Sequence, residues 1–175
     1  MTARSLPARP LALLSLLLAG AASGCAAVPG PASYGPPPRP SSAFNERDFA
    51  WSTGQGSGGV DGRIAYRREG QAYACTGSIV LTPDTPYTRA RFRTLYGSTD
   101  QAALPEAVVR ARTVPDPAGD YRSYVRSATC SDGRFSVSGL PSGGWFIIVP
   151  VSAGGDRVVL MRHVDIRGRR ISITL

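Results

Sequence analysis

The chain has 175 residues, with 20 basic against 12 acidic side chains and a formal charge of +8. Every basic residue is arginine, which reflects GC-rich coding as readily as guanidinium chemistry, so the basic balance alone names no partner. A single histidine, His163, excludes a histidine-rich metal centre, and three cysteines leave an odd thiol to be explained.

Residues 1–24 have the three zones of an export signal. Arg4 and Arg9 make the start basic, and Leu11 to Leu18 form an apolar run too short to span a bilayer permanently. Ala21-Ala22-Ser23-Gly24 then lead into Cys25. This junction resembles the bacterial lipobox, in which the cysteine is diacylated and becomes the mature N-terminus; Ala22 stands where leucine is commonest. The resemblance implies lipidation at Cys25 and a membrane held through a lipid anchor, which is stable when more than one acyl chain is carried. Ala26 rather than Asp follows the cysteine, as expected of outer-membrane sorting in bacteria that read that position. A plainly secreted chain with an incidental Cys25 is the alternative. With Cys25 set aside, Cys75 and Cys130 remain as a pair in an oxidising compartment. A disulfide between them would contribute roughly 4 kcal/mol by constraining the unfolded chain. Two buried free thiols are the alternative.

Residues 25–42 form the tether. Ala26 to Ser42 is dominated by Pro, Gly, Ala and Ser, with too few apolar side chains to offset ordering entropy. Its proline run favours an extended spacer of up to roughly 50 Å at about 3.1 Å per residue.

Residues 43–175 read as one all-β domain. The Gly54-Gln55-Gly56-Ser57-Gly58-Gly59 stretch lacks the Lys-Ser/Thr ending of a phosphate loop and is expected to be a flexible lead into the first strand. Strands are expected at Val60–Tyr66, Thr76–Leu81 (ended by Pro83), Ser123–Thr129, Phe135–Ser138, Trp145–Val151, Val158–Val164 and Ile171–Leu175. Asp132-Gly133 signals a two-residue hairpin, because glycine takes the positive φ such a turn needs. These short runs point to an antiparallel, seven-stranded β-sandwich. The long connection Asp84–Tyr121 interrupts it, with a weak helical pattern at Gln101–Arg112 in which Leu104, Val108 and Val109 would pack on the sheet.

Within that connection Arg89, Arg91 and Arg93 alternate with Ala90, Phe92 and Thr94. An extended segment would therefore display three guanidiniums on one face. Arg110 and Arg112, then Arg122 and Arg126, lie in or beside it. Arginine grips phosphate and carboxylate bidentately, so these residues are candidates for an anionic partner: an acidic envelope protein, an anionic glycan or lipopolysaccharide. A solvated, arginine-rich loop is the alternative. Nucleic acid is not expected, since export removes the chain from it and stacking motifs are absent. His163 sits two residues before Asp165 in an alternating strand, which would place both on one face as a conceivable acid–base pair; a partly exposed strand histidine is the plainer expectation. No metal, cofactor or catalysis is expected.

The run Asp132-Gly133-Arg134-Phe135-Ser136-Val137, followed by Gly139-Leu140-Pro141-Ser142-Gly143-Gly144-Trp145, resembles the strand–turn–strand hallmark of the carboxypeptidase regulatory-like, or transthyretin-like, family. Upstream, Gly77 to Pro83 is similar to that family's "V-x-L-x-P" strand. Val137 replaces the usual second aromatic, and Gly143-Gly144 doubles one glycine. The resemblance implies a seven-stranded sandwich serving as an accessory module without shared catalytic residues, and a carrier of small hydrophobic or glycan ligands as an alternative. One transthyretin-like relative, the hydroxyisourate hydrolase, relies on several histidines and a C-terminal Tyr-Arg-Gly-Ser. This chain ends Ile171-Ser172-Ile173-Thr174-Leu175, so that activity is not carried over.

Overall fold

The computed structural model describes residues 42–75, 77–114 and 119–175; Cys25, the segment expected to be an export signal and all of the expected tether but Ser42 lie outside the described residues. The strands are β1 (Gly58–Arg63), β2 (Arg67–Arg68), β3 (Gln71–Ala72), β4 (Gly77–Pro83), β5 (Gln101–Pro105), β6 (Arg126–Ser131), β7 (Arg134–Leu140), β8 (Gly143–Ala153), β9 (Asp156–Ile166) and β10 (Arg170–Thr174). Two α-helices, α1 (Pro86–Tyr96) and α2 (Glu106–Ala111), flank β5, and short 3₁₀ turns occupy Glu46–Asp48, Ala50–Ser52 and Gly119–Tyr124.

All-β is the right class, but the strand count and pairing differ from expectation. Eight strands share one mixed sheet in the order β10-β1-β7-β6-β4-β8-β9-β5, while β2 and β3 form a separate hairpin. Every pair in the large sheet is antiparallel except β1 with β10, which run parallel. The eighth strand is β5, whose residues were expected to start a helix. Gln101–Pro105 instead alternates exposed and half-buried side chains and pairs along β9 from Gln101↔Arg162 to Pro105↔Val158. Only Glu106–Ala111 becomes helix.

The sheet curls because β6 and β7 pair at only two positions, Cys130↔Phe135 and Ser131↔Arg134. Asp132 (φ 51) and Gly133 (φ 68) both lie in the left-handed region, the type I′ geometry that suits a right-twisted hairpin. Beyond this bend, Val60, Phe135, Val137 and Leu140 share one core with Ile79, Leu81, Trp145, Ile147 and Val149 from the longer half. Trp145 is fully buried. At about 25 cal/mol per Å² of apolar surface, a tryptophan of its size contributes several kcal/mol before entropy is counted. Cys75 and Cys130 are disulfide-bonded inside this core, with Cα atoms 5.9 Å apart.

β8 and β9 are apolar on both faces, and the second face explains α1. Phe146, Val159 and Met161 point away from the main core and are covered by Phe92 and Tyr96 of the helix. The molecule is thus layered: the short half of the sheet, the long half, then α1. Among the described residues, no helix is long and apolar enough to cross a membrane.

Candidate functional site

The arginine segment is helical, not extended, which corrects the expectation of three guanidiniums on one face. Thr85 caps the helix: its Oγ1 accepts from the Thr88 amide at 3.2 Å, and the Thr88 hydroxyl accepts from the Thr85 amide at 2.9 Å. Pro86 takes the first helical position, where its missing N–H costs nothing, and Gly97 ends the helix at φ 75. On a 3.6-residue repeat Arg89 and Arg93 share one side, while Arg91 points elsewhere.

Arg89 and Arg93 line an open cleft of about 440 Å³ with Asp84, Pro86, Ala90 and Ser42. Beneath it, Asp84 is the hub of a small charged cluster. Arg89 donates from Nε to Asp84 Oδ1 at 2.9 Å and from Nη2 to Oδ2, and His163 Nε2 lies 2.8 Å from Oδ2. Burial works against the charged carboxyl, but hydrogen bonds and charge from His163 and Arg89 outweigh it and hold Asp84 below its ordinary range. Gly144 permits the close approach: a Cβ there would stand 2.9 Å from His163 Nε2 and 3.0 Å from Asp84. His163 therefore pairs with Asp84, 79 residues away, and not with Asp165, which is exposed. Its ring also packs edge-on against Phe146, with centroids 5.0 Å apart.

Arg91 lies on a second cleft, of about 360 Å³, between α1 and the 119–124 turn. Phe92, Leu95 and Tyr96 of α1 form one wall, Val80 and Ile148 of the sheet the floor, and Tyr121, Arg122 and Val125 the other wall. The guanidiniums of Arg91 and Arg122 sit over the Tyr121 ring, 5.2 Å and 5.4 Å from its centroid. Burial, reinforced by Tyr121 and opposed by Arg91, pushes the Tyr96 phenol up to about 12.

Arg110, Arg112 and Arg126 each bond to neighbouring parts of the scaffold. Arg110 is exposed and bonded to Glu106 at 2.6 Å, one helical turn away on α2. Arg112 donates to the Leu95 carbonyl at 2.6 Å and ties α2 to α1. Arg126 reaches the carbonyls of Ser52, Gly54 and Gly139 at 2.8, 2.7 and 3.1 Å, with its guanidinium over Trp145. The Gly54–Gly59 stretch is likewise anchored, Gly56 N–H to the Gly139 carbonyl and the Ser57 hydroxyl to that of Gly168. Among the described residues, no three His, Cys, Asp or Glu side chains are grouped as metal ligands would be.

Reading along the sequence identified Arg89, Arg91 and Arg93 but missed Asp84, Phe92, Tyr96 and Tyr121 as their companions. The Thr85-Pro86-Tyr87-Thr88 cap and Gly97 were the available signals. No family model matches the chain, and no curated protein matches it. Among solved structures the chain is similar to that of a Pseudomonas aeruginosa protein described, provisionally, as carbohydrate binding; it is 20% identical and aligns over 75% of this chain and 97% of its own with a TM-score of 0.49.

Proposed function

We propose that the chain is a non-catalytic binding module of the bacterial cell envelope, anchored at the outer membrane through acylated Cys25, and that it recognises an anionic partner in the cleft between α1 and the 119–124 turn. The observation that carries this reading is the pair of guanidiniums, Arg91 and Arg122, stacked on Tyr121 at the rim of an apolar cleft. Guanidinium binds carboxylate or phosphate through a rigid fork at its edge while its face stacks on an aromatic ring. The cleft's volume of about 360 Å³ falls in the range of small-ligand sites. An anionic glycan unit or an acidic side-chain cluster of an envelope protein meets both requirements. A carrier of a small hydrophobic or glycan ligand is the second reading, favoured by the apolar lining of Phe92, Leu95 and Ile148.

In this reading His163 belongs to the scaffold, with its Nε2 against Asp84, its ring against Phe146 and its side chain only 16% exposed. The carboxypeptidase regulatory-like assignment belongs to the same proposal. It is supported by the Asp132-Gly133 hairpin and the buried Trp145 that opens its strand.

Thermal-shift titration with uronic-acid oligosaccharides, phosphorylated sugars and matched neutral oligosaccharides tests the site. Anionic members should raise the melting temperature of the parent and not of the Arg91→Ala/Arg122→Ala variant. Equal responses in both proteins, or none to any probe, would remove the cleft from consideration.

A further inference from the structure

The folded region begins at the arginine-bearing side of α1. Ser42 lines the same cleft as Arg89 and Arg93, and a neighbouring hollow with Ala90, Arg91 and Thr94. Sixteen residues separate it from Cys25. Aromatic contacts fix this arrival point: Phe44 packs edge-on against Tyr87 of α1 at 5.7 Å and lies tilted against Phe49 at 5.3 Å. α1 itself, PYTRARFRTLY, carries three arginines and no acid. The charge of Asp84 below it is committed to Arg89 and His163, and the adjacent 46–48 turn sets Arg47 between Glu46 and Asp48. Arg93 is exposed and forms no ion pair among the described residues.

We infer that the Arg89–Arg93 side of α1 seats on the anionic phospholipid surface that holds the Cys25 acyl chains, so that the domain is oriented at the membrane and not merely suspended from it. This rests on the lipid-anchor reading of Cys25. Two arguments carry it: Ser42 brings the chain in on this side, and Arg93 presents there a positive charge that no ion pair among the described residues offsets, where phospholipid headgroups are anionic. An arginine close to such a surface raises occupancy by about fivefold, an effect that fades within about 10 Å. One such arginine would hold a free domain only weakly. A tether reaching at most roughly 50 Å confines the domain near the surface, so weak contacts suffice to orient it.

The test uses the acylated mature protein in vesicles, with a fluorophore on Thr94→Cys, next to Arg93, and headgroup-linked quenchers in the lipid. Quenching should be about fivefold stronger in phosphatidylglycerol vesicles than in phosphatidylcholine vesicles. Arg93→Glu should abolish the difference and Arg93→Lys should retain it, with circular dichroism showing both variants folded. Equal quenching on the two lipids, or no effect of Arg93→Glu, overturns the seating. Mass spectrometry of the same preparation reports the acyl chains. If Cys25 is bare, the anchor reading fails by itself. The chain is then held on nickel-chelating vesicles through an N-terminal histidine tag, where the same comparison decides the seating.

Discussion

Replacing Asp84 by asparagine keeps the shape of the side chain but turns one of its two acceptor oxygens into a donor. In the native protein that carboxylate, 10% exposed, receives two hydrogen bonds from Arg89 and one from His163. Arg89 is 43% exposed, so its share is screened and contributes about 0–1 kcal/mol. His163 is largely buried, and its bond to a charged acceptor contributes about 1.5–3 kcal/mol. Asp84→Asn should therefore cost about 2–3 kcal/mol, or about 8 °C in melting temperature for a domain of this size. Thermal melts followed by circular dichroism at neutral pH measure the gap. Acid supplies a control: the carboxyl is held below its ordinary 3.8, so its contribution is complete above that pH and is lost as pH falls through the lowered value. The melting temperatures of the two proteins should converge there. A neutral-pH gap below about 2 °C, or one that survives acidification unchanged, would refute the structural role given to this cluster.

Three further outcomes are expected. Cys75→Ser/Cys130→Ser should lose roughly 4 kcal/mol in urea unfolding, and the denatured, unreduced parent should show no free thiol at these positions. In an absorbance titration Tyr96 should ionise at about 12, and Tyr96→Phe should remove that late phase. Its raised value means that its contribution to stability is complete below pH 10 and vanishes as pH climbs through about 12. Arg126→Ala strands three carbonyls and uncovers Trp145, so it should destabilise by about 3 kcal/mol in chemical denaturation. Arg126→Lys should recover only part of that, because an ammonium cannot span the three acceptors.

Strands β4, β8 and β9 were legible because their β-branched runs have no helical period and end in Pro or Gly, and the Asp132-Gly133 turn because its chemistry is local. The odd cysteine count likewise exposed the Cys75–Cys130 pair. The Arg89–Arg93 alternation misled, since a period of two is a strand signal only where nothing stronger competes. Here a capping box, Pro86 and Gly97 fix a helix, and the apolar outer face of β8 and β9 rewards it by burying Phe92 and Tyr96. Gln101–Pro105 was misread for the converse reason. Its weak helical spacing yields to the open edge of β9, which satisfies five residues of backbone at once. The Asp84–His163 pair and the parallel β1–β10 ladder join segments far apart in the chain, and no local pattern announces such closures.

Photo-crosslinking inside the native cell tests the binding account most directly, with benzoylphenylalanine placed at Leu95 in the α1 cleft or, as a control, at Ser131 in the β6–β7 hairpin. The account predicts a discrete adduct from Leu95 alone, lost when Arg91 and Arg122 are both replaced by alanine. Absence of an adduct at Leu95, or one that persists without those arginines, would contradict it.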